Sequence, residues 1–180
     1  MTATLNPIYV IGSINTDMVA MTEVLPSPGE TVMGEEFMMT AGGKGANQAV
    51  AAARMGGDVT MIGRLGNDVF ADQSIKRLIS ENINCEFITK DTEKASGVAL
   101  ISVDKNGENH IVVAPGANAT LTKERLKAVL KQMPDNAIVM MQLEIPLESV
   151  ESVIEFCKKS NIKIILDPAP AKNLTPEFTQ

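Results

Sequence analysis

The chain has 180 residues, and 44% of them are hydrophobic, which is enough to build the core of one globular domain. Its formal net charge of −6 argues against broad nucleic-acid binding, which depends on a basic surface. Apolar runs are far shorter than the roughly 20 residues that span a bilayer, and the first residues lack the pattern of a signal peptide. Two distant cysteines and a single histidine favour neither a disulfide framework nor a zinc site. We therefore expect a cytoplasmic protein without a membrane or nucleic-acid partner.

Short apolar strands alternate with amphipathic helices along most of the chain. This alternation predicts an α/β fold with a doubly wound, mostly parallel sheet that is covered by helices on both faces. In chain order the predicted elements are strand 8–12, helix 44–56, strand 59–63, helix 68–81, helix 122–133, strand 137–141, helix 147–160 and strand 162–167.

Two stretches, residues 15–41 and 96–114, interrupt this alternation. Both have the pattern of extended strands with no helix between them, and residues 98–103 are largely apolar on both alternating faces. We interpret the two stretches as a small added sheet that closes over a ligand with one face and packs against a second subunit with the other. The alternative is a strand pair tucked into the main core.

Residues 41–49 place three glycines, a lysine and an asparagine at the start of a helix. Such a segment is typical of a small-molecule site, because glycine lets a ligand approach the backbone and the first helical N–H groups attract anions and polar oxygens. It is not a Walker A loop, since Gly45 follows Lys44 where Ser or Thr is needed. Nor is it a dinucleotide fingerprint, since Gln48 occupies the position of the third glycine.

Polar side chains follow several predicted strands, at the edge of a doubly wound sheet where ligands bind. Asn15 and Asp17 come after the first strand, Glu144 after strand 137–141 and Asp167 after strand 162–166. If residues 15–17 are extended, Asn15 and Asp17 share a face and could both contact one polyhydroxyl ligand. Each of these residues alone could instead cap a helix or hold a turn.

Several separated motifs resemble those of the ribokinase family of PfkB-type carbohydrate kinases, in the family's order. The resemblance extends from Ile8 to about Pro170. The motifs are Gly12-Ser13-Ile14-Asn15-Thr16-Asp17, Pro28-Gly29-Glu30-Thr31-Val32, the block from Gly42 to Ala51, Ser96-Gly97-Val98-Ala99-Leu100, Gly116-Ala117-Asn118, Met141-Gln142-Leu143-Glu144 and Asp167-Pro168-Ala169-Pro170-Ala171.

The resemblance implies a ribokinase-like fold in which strands 15–41 and 96–114 form a β-sheet lid. It implies transfer of a phosphoryl group from ATP to the 5-hydroxyl of D-ribose in ribose catabolism, with Mg2+ as cofactor and a monovalent cation such as K+ as a further candidate. It also implies a homodimer that forms through the lid. The residues that would bind ribose are Asn15, Asp17, the backbone of Gly43, Lys44, Asn47 and Glu144.

Two motifs of the family are absent from the 180 residues. Neither Gly-Ala-Gly-Asp, which holds the family's catalytic base, nor Asn-x-x-Glu, which is linked to magnesium and phosphate, occurs. We therefore expect residues 1–180 to be the N-terminal part of one domain without its nucleotide-binding half, with no catalytic or metal-binding residue, and inactive alone. The alternatives are another sugar or nucleoside kinase, such as a fructokinase or an adenosine kinase, and a non-catalytic pentose-binding or dimerising module.

Overall fold

The centre of the protein is a five-stranded parallel sheet, seen in a computed structural model that describes residues 6–174. In chain order the elements are β1 (Ile8–Ile11), β2 (Asn15–Thr22), β3 (Gly34–Gly42), α1 (Lys44–Arg54), β4 (Val59–Gly66), α2 (Val69–Ser80), β5 (Asn84–Asp91), β6 (Gly97–Asp104), β7 (Asn109–Ala114), a 3-10 helix (Gly116–Thr120), α3 (Lys123–Leu130), β8 (Ile138–Met141), α4 (Leu147–Ser160) and β9 (Lys163–Leu166). The strand order in the central sheet is β5-β4-β1-β8-β9, and every neighbouring pair is parallel. This arrangement confirms the predicted α/β fold.

Helices cover both faces of the central sheet because successive side chains of a buried strand point in opposite directions. Val10 of β1 packs in a cluster with residues of α1 and α2, whereas the next residue, Ile11, packs with residues of α3 and α4. Both side chains are completely buried. The apolar stripes that predicted the helices are the surfaces that they bury against the sheet. Among the described residues, no helix has the length and apolar character needed to cross a membrane.

The two interrupting stretches form a separate four-stranded sheet, in the order β3-β2-β6-β7. Its inner strands β2 and β6 are parallel, and the outer pairs are antiparallel. The alternative of a strand pair within the main core is therefore wrong. We call this four-stranded unit the second sheet.

One strand of the central sheet is not predicted from the sequence. The predicted elements leave residues 82–95 without a strand, whereas β5 begins at Asn84 and pairs with β4 along the edge of the sheet. An edge strand needs no continuous apolar run, and most residues of β5 remain exposed or half-buried. The other boundaries differ by a few residues; α3, for example, ends at Leu130 rather than at 133.

Candidate functional site

A cleft lies where the order of the central strands reverses. The chain forms β1, adds β4 and β5 on one side, and then returns to place β8 and β9 on the other. The segments after β1 and β8 consequently diverge at neighbouring positions and leave a crevice at the carboxyl ends of these strands. The cleft has a volume of about 640 Å³.

The six residues predicted as ligand contacts all line this one cleft: Asn15, Asp17, Gly43, Lys44, Asn47 and Glu144. They come from three separate parts of the chain. Asn15 and Asp17 belong to β2, the middle three lie at the start of α1, and Glu144 follows β8. The remaining predicted polar residue, Asp167, accepts a long hydrogen bond of 3.4 Å from the Gln48 amide and does not line the cleft.

The second sheet forms an apolar wall of the cleft. Ala99 and Ile101 of β6, together with Ile111 and Val113 of β7, line it. Ala99 pairs with Val113 and Ile101 with Ile111, so the four side chains form two adjacent cross-strand pairs on one face. The cleft therefore combines polar side chains from β2, α1 and the segment after β8 with an apolar wall from β6 and β7.

Gly43 joins β3 to α1 and requires a backbone that other residues rarely adopt. Its φ is 91°, and a β-carbon there would lie 2.7 Å from the Asn15 nitrogen and 2.8 Å from the Ser13 oxygen. Only glycine fits both the dihedral angle and the close approach of the two segments. This explains why the glycine-rich segment stands at this helix start.

Glu144 anchors the first turn of α1. Its Oε2 accepts hydrogen bonds from Ser13 Oγ at 2.6 Å and from the Lys44 backbone N–H at 3.0 Å, while Lys44 Nζ lies 3.8 Å from Oε1. The Gly45 N–H donates to Ser13 Oγ at 3.3 Å and the Ala46 N–H to the Ser13 carbonyl at 2.9 Å. The first-turn N–H groups that the sequence suggested as ligand donors therefore already donate to protein oxygens.

Asp17 is the carboxylate of the cleft whose charge has the fewest stabilising contacts with the protein. Burial raises its pKa above the ordinary value, and the neighbouring Glu144 carboxylate raises the pKa further, while Lys44 partly opposes them. No protein hydrogen bond to the Asp17 side chain occurs within residues 6–174. A partly buried carboxylate that accepts no hydrogen bond from the protein is suited to accept one from a ligand hydroxyl.

Three further polar residues belong to the site and were not predicted. Ser13 supports Glu144, Asn118 lines the cleft beside Asn15, and Lys172 lines it while donating to the Leu143 carbonyl at 2.7 Å. Ser13 and Asn118 both stand within motifs noted in the sequence, but their partners are 131 and 103 residues away. Only the three-dimensional pairing gives them a role.

Comparison with known proteins places the chain in a family. The family described as "pfkB family carbohydrate kinase" matches it over residues 6–179. The chain belongs to the PfkB family. Its relatives include a ribokinase of Schizosaccharomyces pombe, 40% identical over 95% of this chain and 56% of the relative, and a deoxyribokinase of Salmonella typhi, 42% identical over 91% of this chain and 54% of the relative.

Solved structures of PfkB-like proteins share the fold. Ribokinase from Thermotoga maritima superposes with a TM-score of 0.86 at 36% identity, covering 98% of this chain and 57% of that one. Arabidopsis thaliana ribokinase complexed with ribose and ATP superposes with a TM-score of 0.78 at 30% identity, covering 92% and 54%. The chain spans about half the length of the curated relatives it matches.

The raised pKa of Asp17 predicts that this carboxylate costs stability in the ligand-free PfkB chain. A raised pKa in the folded state means that the charged form is disfavoured there, so the cost is present at neutral pH and vanishes as both states become protonated. Asp17→Asn should leave the thermal midpoint at pH 7 unchanged or higher, and the difference should disappear below about pH 4. Thermal unfolding followed by circular dichroism from pH 3 to pH 8 measures this.

The matched control for this measurement is Asp135→Asn, which removes the same charge from an exposed position outside the cleft. It should shift the midpoint little at any pH. A midpoint of Asp17→Asn several degrees below that of the wild type at pH 7 would show that Asp17 stabilises the fold, contrary to this prediction.

Proposed function

We propose that this PfkB chain supplies the sugar-binding part of a ribokinase, which phosphorylates D-ribose to D-ribose 5-phosphate with ATP. The observation that carries the proposal is the convergence of the six predicted contact residues, five of them polar, on one cleft at the strand reversal. Ribokinase homologues at about 40% identity support the choice of sugar.

The polar side chains that line the cleft suit a polyhydroxyl ligand. Asp17 and Glu144 supply acceptors, whereas Lys44 and the side-chain amides of Asn15 and Asn47 supply donors. A volume of about 640 Å³ lies within the usual range of small-molecule sites. In this proposal the second sheet acts as the lid: its apolar wall excludes water, so that the phosphoryl group reaches the sugar rather than solvent.

ATP is the proposed phosphoryl donor and Mg2+ the proposed metal, which when bound would neutralise charge on the transferred group. Within residues 6–174, no group of three or more acidic, histidine or cysteine side chains is placed to hold a metal ion. We therefore assign no ligand of Mg2+ to these residues. We also propose a cytoplasmic location, in keeping with the two unpaired cysteines, Cys85 and Cys157.

Ribose should bind to the chain in a saturable manner. Isothermal titration with D-ribose, 2-deoxyribose, fructose and adenosine should give the tightest binding for ribose. Lys44→Gln should weaken ribose binding about tenfold or more, because it removes a charged donor from the cleft. Lys76→Gln, an equal change at an exposed position on α2, is the control and should bind like the wild type. Tighter binding of fructose or adenosine than of ribose would favour a different kinase of the family.

Deoxyribose is the second candidate sugar, because a deoxyribokinase is among the most similar relatives at 42% identity. The same titration decides between the two pentoses. Equal or tighter binding of 2-deoxyribose than of ribose would assign the deoxy sugar.

The 180-residue chain alone should not form ribose 5-phosphate. It contains neither the motif with the family's base nor the motif linked to magnesium. Loss of a positioned base and of charge stabilisation lowers phosphoryl transfer by several orders of magnitude. A coupled assay for ATP consumption with ribose present and absent should show equal rates. Turnover near that of a complete sugar kinase would contradict this, and saturable ribose binding without turnover or any complementing chain would favour the non-catalytic pentose-binding module.

We further propose that the chain forms a homodimer through the outer face of the lid. Met39, Met18, Leu100 and Val112 are successive register partners across β3, β2, β6 and β7, so apolar side chains cross the full width of the sheet. Leu100 is 51% exposed and Val112 64%. An apolar band of this extent on one face is typical of an association surface.

Substitution of Val112 tests the dimer. Val112→Glu should convert a dimer into a monomer, because dimerisation would bury an unpaired charge. Ile79→Glu, at a 57% exposed position on α2, is the control and should remain dimeric. Sedimentation equilibrium over a range of protein concentrations distinguishes these states. A wild-type monomer at all concentrations, or a dimer that persists in Val112→Glu, would exclude this interface.

A further inference from the structure

Asn118 is a buried amide that lines the cleft beside Asn15. It lies in the 3-10 helix 116–120 and is 1% exposed. Its Oδ1 accepts from the Ile14 backbone N–H at 2.9 Å, and its Nδ2 donates to the Ile14 carbonyl at 3.1 Å. The same Nδ2 donates to Asn15 Oδ1 at 2.8 Å. Both amide protons of Asn118 therefore have protein acceptors.

The backbone of Ile14 determines which way both amides point. If the Asn118 amide were reversed, its NH2 would face an N–H donor and its oxygen would face a carbonyl. Nδ2 of Asn118 must therefore face Asn15, and the Asn15 atom that accepts its hydrogen bond must be Oδ1. The remaining polar atom of Asn15 is Nδ2, a donor, and no group within residues 6–174 accepts a hydrogen bond from it.

The 3-10 helix that carries Asn118 is held in place on two sides. The Ala117 N–H donates to the Ala95 carbonyl at 2.8 Å. Thr120 Oγ1 donates to Asp91 Oδ2 at 2.6 Å and accepts from Arg64 Nε at 2.8 Å. Arg64 and Asp91 are themselves a buried ion pair, with Nε and Oδ2 3.0 Å apart. Asn118 consequently has little freedom to shift or turn.

Gly97, the register partner of Asn15 on β6, leaves the space that the amide pair needs. A β-carbon there would lie 2.3 Å from both Asn118 Nδ2 and Asn15 Oδ1. The pairing of the two amides therefore requires glycine at position 97.

We propose that Asn118 is a positioning residue that fixes the Asn15 amide as a hydrogen-bond donor to the ligand. This proposal rests on the proposed function, because it takes a sugar as the ligand. Asp17, two residues along the same face of β2, is an acceptor. The pair then selects a single bridging hydroxyl group that accepts from Asn15 and donates to Asp17, which an ether or a carbonyl oxygen cannot do.

Replacing Asn118 with aspartate would reverse this polarity. The carboxylate keeps an acceptor for the Ile14 N–H but has no proton for Asn15, so the Asn15 amide turns to donate to it. The cleft would then present two acceptors, Asn15 Oδ1 and Asp17. A ligand hydroxyl has one proton and can satisfy only one of them.

The first test is ribose affinity by isothermal titration. Asn118→Asp should bind ribose at least tenfold more weakly than the wild type, the expected effect of one lost hydrogen bond and one added repulsion. Asn136→Asp introduces the same charge at an exposed position and should bind like the wild type. Unchanged ribose affinity in a folded Asn118→Asp variant overturns the proposal.

The second test needs no substitution at Asn118 and reports the amide orientation directly. In the free wild-type chain labelled with 15N-asparagine, the side-chain protons of Asn118 should exchange slowly with water and those of Asn15 rapidly. Resonances of Asn15 are assigned with Asn15→Asp. Ribose should slow the exchange of the Asn15 protons. Slow exchange at Asn15 and fast exchange at Asn118 in the free chain overturn the proposal.

The two tests separate this inference from the proposed function. If the wild type does not bind ribose but Asn118 is protected and Asn15 is not, the sugar assignment fails while the orientation of Asn15 stands. If ribose binds and the exchange pattern is reversed, the function stands and the role of Asn118 fails.

Discussion

The site depends on a single carboxylate, Glu144, that joins the ends of two central strands to the first turn of α1. Glu144 follows β8, Ser13 follows β1, and Lys44 begins α1, so the two hydrogen bonds to Oε2 bridge segments 131 and 100 residues apart. Bonds to a charged group contribute roughly 1.5–3 kcal/mol each. The positive end of the helix dipole adds to the attraction. Without this carboxylate, the Lys44 N–H and the Ser13 hydroxyl would lack their acceptor, and Gly43, Lys44 and Asn47 would lose the contact that holds their segment against β8.

Two aspartates, Asp91 and Asp17, have opposite effects on the stability of the fold at neutral pH. Hydrogen bonds, first of all from the Thr120 hydroxyl and then from the Glu93 backbone, hold the pKa of Asp91 well below its usual range. Asp91 therefore stabilises the fold at neutral pH, and this contribution is lost as pH falls below the ordinary carboxyl value. Asp17 has a raised pKa, so its charged form weakens the free fold at neutral pH. Asp91 accepts hydrogen bonds from the protein, whereas the Asp17 carboxylate accepts none within residues 6–174.

The layer order of the fold and the six cleft residues could be predicted from the sequence, because they depend on local patterns and on motifs. Apolar runs such as that of β1 and the helical spacing of α2 are visible within a few turns of chain. The edge strand β5 has no such run. Ser13 and Asn118 could not be assigned, since each acts through a partner more than 100 residues away. The glycine-rich helix start was predicted to lie at a ligand site, and it does line the cleft, but its N–H groups donate to Glu144 and Ser13, whose approach no local pattern reveals.

The residues at which the chain enters the second sheet also orient the Asn15 amide in the cleft. The chain enters this sheet at Asn15 and at Gly97, which are register partners, and both touch the amide of Asn118 or the space beside it. Ser96, just before the second entry, is fixed by Asp68 at the start of α2, whose carboxylate accepts from its N–H and its hydroxyl at 2.7 Å each. The outer strands are attached at the same end of the second sheet, β3 to α1 through Gly43 and β7 to the 3-10 helix that carries Asn118. The position of the second sheet and the direction of the Asn15 amide therefore depend on the same group of contacts around Asn118, Gly97 and Ser96.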